Sequence, residues 1–291
     1  MRHRFALLVP LVVALLTVAA CTDEGDAPRP IDRAGVAFAR SPDGPTLLPV
    51  PAESSVEDPA LLAAIRRGRA IASATGDSLP AQVGNALRCT SCHLDDGRRA
   101  HSMPWVGVYA RFPQYRSREG RVLRLEDRIN GCLRRSLDGR ALPMDDDRLR
   151  DMVAYMAFLS RGVGVGGTVA GQGLAPIAPL AGDTLRGHAV YVAECARCHG
   201  AAGDGTSQAP PLWGDRSFNV GAGMARLRTA AAFIRRNMPY DRPGTLSDQD
   251  AFDVAAYIIS RPRPDFAGKE HDWPRGGAPV DAAYATIGGA P

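Results

Sequence analysis

CTSCH, at residues 89–93, decides the fold, because the chain repeats the pattern as CARCH at residues 195–199. Each copy is followed by an apolar stretch with helical spacing, DDDRLRDMVAYMAFLS at residues 145–160 and SDQDAFDVAAYIIS at residues 247–260. Between the two halves, residues 162–181 have the glycine and proline density of a linker. A motif and a helix that recur in the same order indicate a tandem repeat.

A further helix that contains a glycine is predicted upstream of each motif, at residues 58–74 with Gly68 and at residues 183–195 with Gly187. Aspartate and serine residues supply start signals for the predicted helices. Glycine lowers helix propensity, so on an apolar face it marks a close crossing with another helix. We expect these crossings at Tyr155 and Tyr257, which lie on the buried faces of the later helices.

The C-x-x-C-H pattern is typical of covalent attachment of a c-type heme. Its two cysteines reach both vinyl groups as thioethers, and the adjacent histidine lies beneath the iron as the proximal ligand. A four-cysteine zinc site would leave both histidines unexplained, and disulfide bonds would leave an odd cysteine in the mature chain. The sequence therefore predicts two covalently bound hemes c, held by Cys89, Cys92 and His93 and by Cys195, Cys198 and His199.

The predicted fold class is mainly α, with two tandem class I cytochrome c domains, each wrapped around one covalent heme. The first domain is predicted at residues 58–161 and the second, with a C-terminal tail, at residues 182–291, on either side of the linker at 162–181.

The second axial ligand of each iron is predicted by spacing. Met238, followed by Pro239, lies 39 residues beyond His199, an interval typical of the distal ligand in cytochromes c. The same interval after His93 ends at Cys132. An alternative for the first iron is that Met103, Met144 or His101 is the ligand and Cys132 is a buried structural thiol. The alternative for the second iron is that Met238 only fills the core.

A thiolate ligand stabilises ferric iron, so it lowers the reduction potential of the first heme relative to the second, and an accessible thiolate is also a nucleophile. Residues 112–136 around Cys132 contain seven arginines against Glu119, Glu126 and Asp127. Arginine binds oxyanions through two parallel hydrogen bonds, so this segment suits a small dianion. The alternative is that the arginines neutralise heme propionates or form a solvated helix face.

The N-terminus predicts export. Arg2 and Arg4 precede an uncharged apolar run at residues 5–20, which is a secretory signal peptide and is shorter than the ~20 apolar residues of a spanning helix. The junction VAAC resembles a bacterial lipobox, which would place lipid on Cys21 and tether the periplasmic protein to a membrane; ordinary cleavage would leave a plain thiol. Residues 21–57 are predicted to be a flexible tether.

Charge excludes one class of partner. The formal net charge of +4 includes both arginines of the signal peptide, which leaves no electrostatic footprint for nucleic acid.

VGNALRCTSCHLDDGR, RFPQYRSREG and RINGCLRRSLDGRALP together resemble the first domain of bacterial diheme c-type thiosulfate dehydrogenases. AAFIRRNMP and the tail sequence RPDFAGKEHDWP are similar to their second domain, so the resemblance extends from about residue 58 onward.

The resemblance implies an enzyme that joins two thiosulfate ions into tetrathionate and passes two electrons to a c-type cytochrome or another redox acceptor. It implies that Cys132 loosens from the iron and forms a covalent sulfur adduct, and that the substrate is contacted by Arg118, Arg128, Asn130 and Ser136. Some relatives have a lysine just before the methionine ligand, where this chain has Asn237.

Three other functions remain open at this point: the reverse reaction as a tetrathionate reductase, a plain diheme electron-transfer cytochrome, and a sulfur-oxidising cytochrome that acts on a partner-bound carrier. An arginine-rich setting favours an enzyme over a plain carrier, because a carrier needs no oxyanion site beside its metal.

Overall fold

The computed structural model describes residues 47–289, and this part of the chain is mainly α-helical. The helices of the first half are α1 (Pro59–Ser73), α2 (Thr75–Ser78), α3 (Leu94–Gly97), α4 (Leu125–Arg135) and α5 (Asp147–Leu159). Those of the second half are α6 (Thr184–Val190), which continues into a π-helical turn (Tyr191–Cys195), α7 (Ala196–His199), α8 (Leu227–Asn237) and α9 (Asp248–Ile259). Two short strands, β1 (Gln114–Arg116) and β2 (Arg121–Leu123), form an antiparallel hairpin with Tyr115 opposite Val122.

The predicted start signals are confirmed. The side chains of Asp58, Asp183 and Ser247 accept hydrogen bonds from backbone N–H groups in the first turns of α1, α6 and α9. Capping satisfies N–H groups that a helix cannot pair internally, so these residues set where each helix begins.

The two glycine crossings are also confirmed. A Cβ atom at Gly68 would lie 2.0 Å from the carbonyl oxygen of Asp151 and 3.0 Å from the Cβ of Tyr155. A Cβ atom at Gly187 would lie 1.9 Å from the oxygen of Asp253 and 2.9 Å from the Cβ of Tyr257. The helix pairs α1 with α5 and α6 with α9 therefore pack backbone to backbone, which is possible only without a side chain at either position.

The predicted tether ends earlier than expected. Residues 47–57 pack on the first domain: Leu48 is fully buried, and its N–H donates to the carbonyl of Arg98 across 2.8 Å. The first domain therefore begins before residue 58, because Leu48 and Val56 complete its apolar core. The predicted signal peptide and Cys21 lie outside the described residues.

The linker at residues 162–181 is not a free connection either. Val169 is buried in the core of the first domain, and the N–H of Met103 donates to the carbonyl of Gly173 across 2.9 Å. This segment covers the loop that follows the first C-x-x-C-H motif, so glycine and proline density predicted its irregular backbone but not its packing.

The two domains contact each other directly. The side chain of Asn85 donates to the carbonyl of Ser136 in the first domain and to that of Ser217 in the second, both across 3.0 Å. Asn219 of the second domain donates to the carbonyl of Arg134 at the end of α4 and to the carboxylate of Asp138. Buried polar groups need such partners, so these contacts set the domains in one relative position.

The C-terminal tail, residues 263–289, returns to the first domain. Asp272 pairs with Arg135 through two hydrogen bonds of 2.7 and 2.8 Å, and the N–H of Trp273 donates to the carbonyl of Arg118 across 2.8 Å. Further along, Asp281 accepts a hydrogen bond from the N–H of Arg228 in the first turn of α8. The tail thus ties the end of α4 to the start of α8.

Within residues 47–289, no helix has both the length and the apolarity that crossing a bilayer requires.

Candidate functional site

The first C-x-x-C-H motif holds its histidine in a fixed orientation. The Nδ1 of His93 lies 2.6 Å from the carbonyl oxygen of Met103. A carbonyl only accepts hydrogen bonds, so Nδ1 carries the proton and Nε2 is left with a lone pair for a metal. Burial lowers the pKa of His93 to about 4, which keeps the imidazole neutral, as ligation requires.

The second motif repeats this arrangement. The Nδ1 of His199 lies 2.8 Å from the carbonyl oxygen of Pro210, and burial lowers the pKa of this histidine as well. Met103 supplies the carbonyl that orients His93, so its backbone lies on the same side as the proximal histidine. This position argues against Met103 as the axial ligand on the opposite side.

A tryptophan supports each motif, and sequence analysis did not identify it. Gly97 and Gly203 adopt positive φ angles of 76° and 67°, and a Cβ atom there would lie 2.1 Å from Trp105 and 2.2 Å from Trp213. The signal that could have found this contact is a glycine four residues after each motif histidine, with a tryptophan downstream in both halves.

The cysteines fit heme attachment better than the alternatives. The five cysteines within residues 47–289 are free, and the pairs belong to separate cores, with Cys89 against the first and Cys195 against the second. No group of three or more potential metal-ligating side chains forms in this part of the chain, so a four-cysteine zinc site is not built. Two free thiols beside a neutral histidine with an available Nε2 suit a covalent heme in each domain.

Cys132 lies near the first motif. Burial raises the pKa of Cys89 to about 11 and that of Cys92 to about 12, and a charge on Cys132 contributes to both shifts. Within α4, Arg128 lies one turn before Cys132, and its Nη1 donates to the Sγ of Cys132 across 3.3 Å. The structure therefore brings Cys132, Arg128 and the first attachment motif together.

The corresponding position in the second domain is reached differently. Cys132 lies inside α4, whereas Met238 is the first residue after α8. Met238 and Cys195 both pack against the apolar core of the second domain. Asn237 before it is buried and donates to the carbonyl of His101 in the first domain across 3.1 Å. The rival sulfur of Met144 is 40% exposed and lies 3.6 Å from the amide of Asn130.

A cavity of about 310 Å³ lies at the boundary of the two domains, beside α4. Its wall is formed by the hairpin, α4, the start of α8 and the C-terminal tail. Five arginines line it, against Glu119 alone among acidic lining residues: Arg116, Arg118, Arg128, Arg135 and Arg226. Three of the predicted substrate residues, Arg118, Arg128 and Ser136, are thus gathered in one cavity.

The cavity arginines are partly desolvated. Burial lowers the pKa of Arg118 to about 10, and it also lowers the pKa of Arg116. The guanidinium of Arg118 stacks 4.5 Å from the ring of Trp273 and donates to the carbonyl of Gly221 across 2.8 Å. Positive groups with reduced hydration attract an anion more strongly than they would in water.

Asn130, the fourth predicted substrate residue, does not line the cavity. Its buried side chain donates to the carbonyl of Leu142 across 2.9 Å and accepts from the N–H of Leu142 across 2.8 Å. These two bonds fix the loop between α4 and α5. Asn130 thus has a positioning role in this loop, and its contact with substrate stays a prediction.

Two family models match the chain. Residues 81–165 match the SoxA/TsdA cytochrome c domain, and residues 182–258 match the model described as cytochrome C oxidase, cbb3-type, subunit III. The matched segments contain the two C-x-x-C-H motifs and the helices that follow them, so the prediction of two cytochrome c domains is confirmed.

The curated relatives and a solved structure that resemble this chain are all thiosulfate dehydrogenases. The chain is 48% identical over 243 residues to a thiosulfate dehydrogenase of Allochromatium vinosum, with 79% of this chain and 89% of the relative covered. It is 43% identical over 245 residues to one of Psychrobacter arcticus, with 82% and 75% covered. The structure of thiosulfate dehydrogenase (TsdBA) from Marichromatium purpuratum in its "as isolated" form superposes with a TM-score of 0.74 at 34% identity; 83% of this chain is covered, and this chain spans 56% of that one. The chain belongs to the thiosulfate dehydrogenase family.

Proposed function

We propose that this protein is an exported diheme cytochrome c that oxidises two thiosulfate ions to tetrathionate and passes two electrons to a c-type cytochrome or another redox acceptor. The observation that carries the proposal is the arginine-lined cavity beside Cys132, in a chain that is 48% identical to a thiosulfate dehydrogenase.

Each domain offers one set of groups that suits a covalent heme: two thioether cysteines, a proximal histidine and a second sulfur ligand. In order, these are Cys89, Cys92, His93 and Cys132 in the first domain and Cys195, Cys198, His199 and Met238 in the second. When bound, each heme supplies a one-electron acceptor, and thiolate ligation gives the first a lower potential than the second.

The reaction at Cys132 balances without protons. The thiolate of Cys132 bonds to the outer sulfur of one thiosulfate, which leaves a Cys–S–S–SO₃ adduct and releases two electrons. The outer sulfur of a second thiosulfate then attacks the sulfur next to the sulfonate group, forms the central bond of tetrathionate and displaces the Cys132 thiolate. Two dianions thus give one dianion and two electrons, which two bound hemes would be able to accept singly.

The surrounding residues prepare this chemistry. The hydrogen bond from Arg128 holds a positive charge beside the Sγ of Cys132, where negative charge resides during the reaction. Arg116 and Ser136 both line the cavity and offer donors to the oxygens of a bound sulfur oxyanion. Bringing two dianions together requires positive charge, which the cavity arginines provide.

The cavity also favours an enzyme over an electron shuttle. A carrier needs only an exposed route to its heme, and partly desolvated arginines cost free energy unless an anion offsets them. Export is supported by the predicted signal peptide at residues 1–20, and membrane tethering by the lipobox-like junction at Cys21.

The test is a steady-state assay of the heme-loaded protein with thiosulfate and ferricyanide, with tetrathionate measured as the product. We expect Cys132→Ala to retain both hemes and lose turnover. The matched control Met144→Ala, which removes the nearby exposed sulfur, should retain it. Turnover that survives in Cys132→Ala would overturn the proposed site, and a wild-type protein that yields no tetrathionate would overturn the function.

A further inference from the structure

We infer that Arg226 of the second domain is a substrate-binding residue, which together with Arg118 and Trp273 forms a subsite for the second thiosulfate across the domain boundary from Cys132. This inference rests on the proposed function and names a residue from the domain that does not carry Cys132.

Arg226 lies where α8 begins, and its side chain reaches the cavity wall. Its Nε atom is buried without a hydrogen-bond partner, and among residues 47–289 no side-chain hydrogen bond or ion pair engages its guanidinium. A buried donor without a partner costs free energy, so its retention indicates a ligand that supplies the acceptor.

Most of the other cavity arginines make side-chain hydrogen bonds or ion pairs, which Arg226 does not. Arg135 is paired with Asp272, and Arg128 donates to the sulfur of Cys132. Arg118 donates to the carbonyl of Gly221. Of the other four cavity arginines, Arg116 alone makes no side-chain hydrogen bond or ion pair within residues 47–289, and the charge of Cys132 acts on its pKa.

The charges divide the cavity into two halves. Besides burial, the charges of Arg128, Glu119, Arg111 and Cys132 act on the pKa of Arg116, which places Arg116 toward the Cys132 side of the cavity. Besides burial, the charges of Tyr284, Arg135, Asp272 and Arg226 act on the pKa of Arg118, and the Nε of Arg118 lies 3.5 Å from the carboxylate of Asp272. One half thus contains Arg116 and Arg128, the latter hydrogen-bonded to Cys132, and the other contains Arg118, Arg226 and the tail residue Trp273.

The reaction requires two such halves. Two thiosulfate dianions must lie close together before their sulfurs are joined, so each needs its own cations within contact distance. The cavity volume of about 310 Å³ lies at the lower end of the range for small-molecule pockets and exceeds what one five-atom anion fills. The buried indole of Trp273 lines the second half and stacks 4.5 Å from the guanidinium of Arg118.

The binding arm of the test uses the heme-loaded Cys132→Ala protein, which cannot turn over, titrated with thiosulfate in a calorimeter. Adding Arg226→Gln should weaken thiosulfate binding about tenfold or more, because a charge-assisted bidentate contact is lost. Adding Arg226→Lys, which keeps the charge but not the fork, should weaken it less. The control Arg228→Gln removes an exposed arginine from the same turn of α8 and should leave affinity within about twofold.

The kinetic arm places Arg226→Gln in the protein that retains Cys132, where we expect a raised thiosulfate KM and unchanged heme spectra. Equal thiosulfate affinity with and without Arg226→Gln would overturn the inference, as would absence of binding to the Cys132→Ala parent. A shifted heme potential with unchanged affinity would assign Arg226 to a propionate and would also overturn it. A wild-type protein that binds thiosulfate through Arg226 but does not oxidise it would contradict the proposed function alone.

Discussion

The guanidinium of Arg128 donates a hydrogen bond to the sulfur of Cys132 from one turn earlier on the same helix, across 3.3 Å. Residues four positions apart lie above one another on an α-helix, so α4 itself aligns the two side chains. Arg128 also lines the cavity, so one residue faces both the sulfur and the space where an anion would bind.

Replacing Arg128 with alanine should lower kcat/KM for thiosulfate by roughly tenfold to a hundredfold, since a hydrogen bond to a charged group contributes about 1.5–3 kcal/mol. Arg134→Ala, an exposed position on the same helix, is the matched control. Activity is measured with ferricyanide and heme content by absorbance. Equal losses in both variants would mean that the effect of Arg128 is a general effect of surface charge.

Gly68→Ala should lower the free energy of unfolding by about 1–3 kcal/mol, because the added Cβ meets the backbone oxygen of Asp151, which cannot move aside. Gly76→Ala is the control, since a Cβ atom there has nothing within 4 Å. Thermal unfolding of the heme-loaded variants measures the difference. A Gly68→Ala protein as stable as Gly76→Ala would show that α1 and α5 separate at little cost.

Asp272→Asn should destabilise the protein by about 3 kcal/mol, because it leaves the guanidinium of Arg135 buried without its counterion. Tyr284 also donates to this carboxylate, so the tail should loosen and the thiosulfate KM should rise. Denaturant unfolding and limited proteolysis of the tail measure the change. Asp265→Asn, on an exposed part of the tail, serves as the comparison, and equal behaviour of the two variants would contradict the bridging role of Asp272.

Lowering the pH should lower the folding stability of the second domain, because Asp253 becomes protonated. Burial alone would raise the pKa of Asp253, but hydrogen bonds from the guanidinium of Arg186 and the N–H of Asp183 outweigh it and hold the pKa below its ordinary value. A carboxyl with a lowered pKa contributes stability that is complete above about pH 3.8 and is lost as the pH falls through the lowered value.

In thermal unfolding at a series of pH values, we therefore expect Asp253→Asn to be less stable than wild type at neutral pH. The difference in stability between the wild type and Asp253→Asn should become smaller below about pH 3.8. A constant difference across this range would mean that Asp253 acts by packing alone.

The sequence determined the repeat, because the chemistry of covalent attachment needs both cysteines and the histidine within five adjacent residues, and helix crossings need glycine at one position. Local rules of this kind predict the helices, the N-caps and the contacts of Gly68 and Gly187. The interval from His93 likewise predicted that Cys132 belongs beside the first motif.

What only the tertiary structure decided is the cavity. Arg226 and Trp273 are far from Cys132 in the sequence, and no local period relates them to it. They line the cavity beside α4 because Asn85 and Asn219 join the domains and the tail crosses back to Arg135. Asn130 shows the converse, since the family resemblance implied a substrate contact, whereas its side chain is hydrogen-bonded to Leu142 and is not among the residues that line the cavity. Heme attachment depends on residues that are adjacent in the sequence, so a short motif predicts it. A site for two anions depends on contacts between residues far apart in the sequence, which no local pattern predicts.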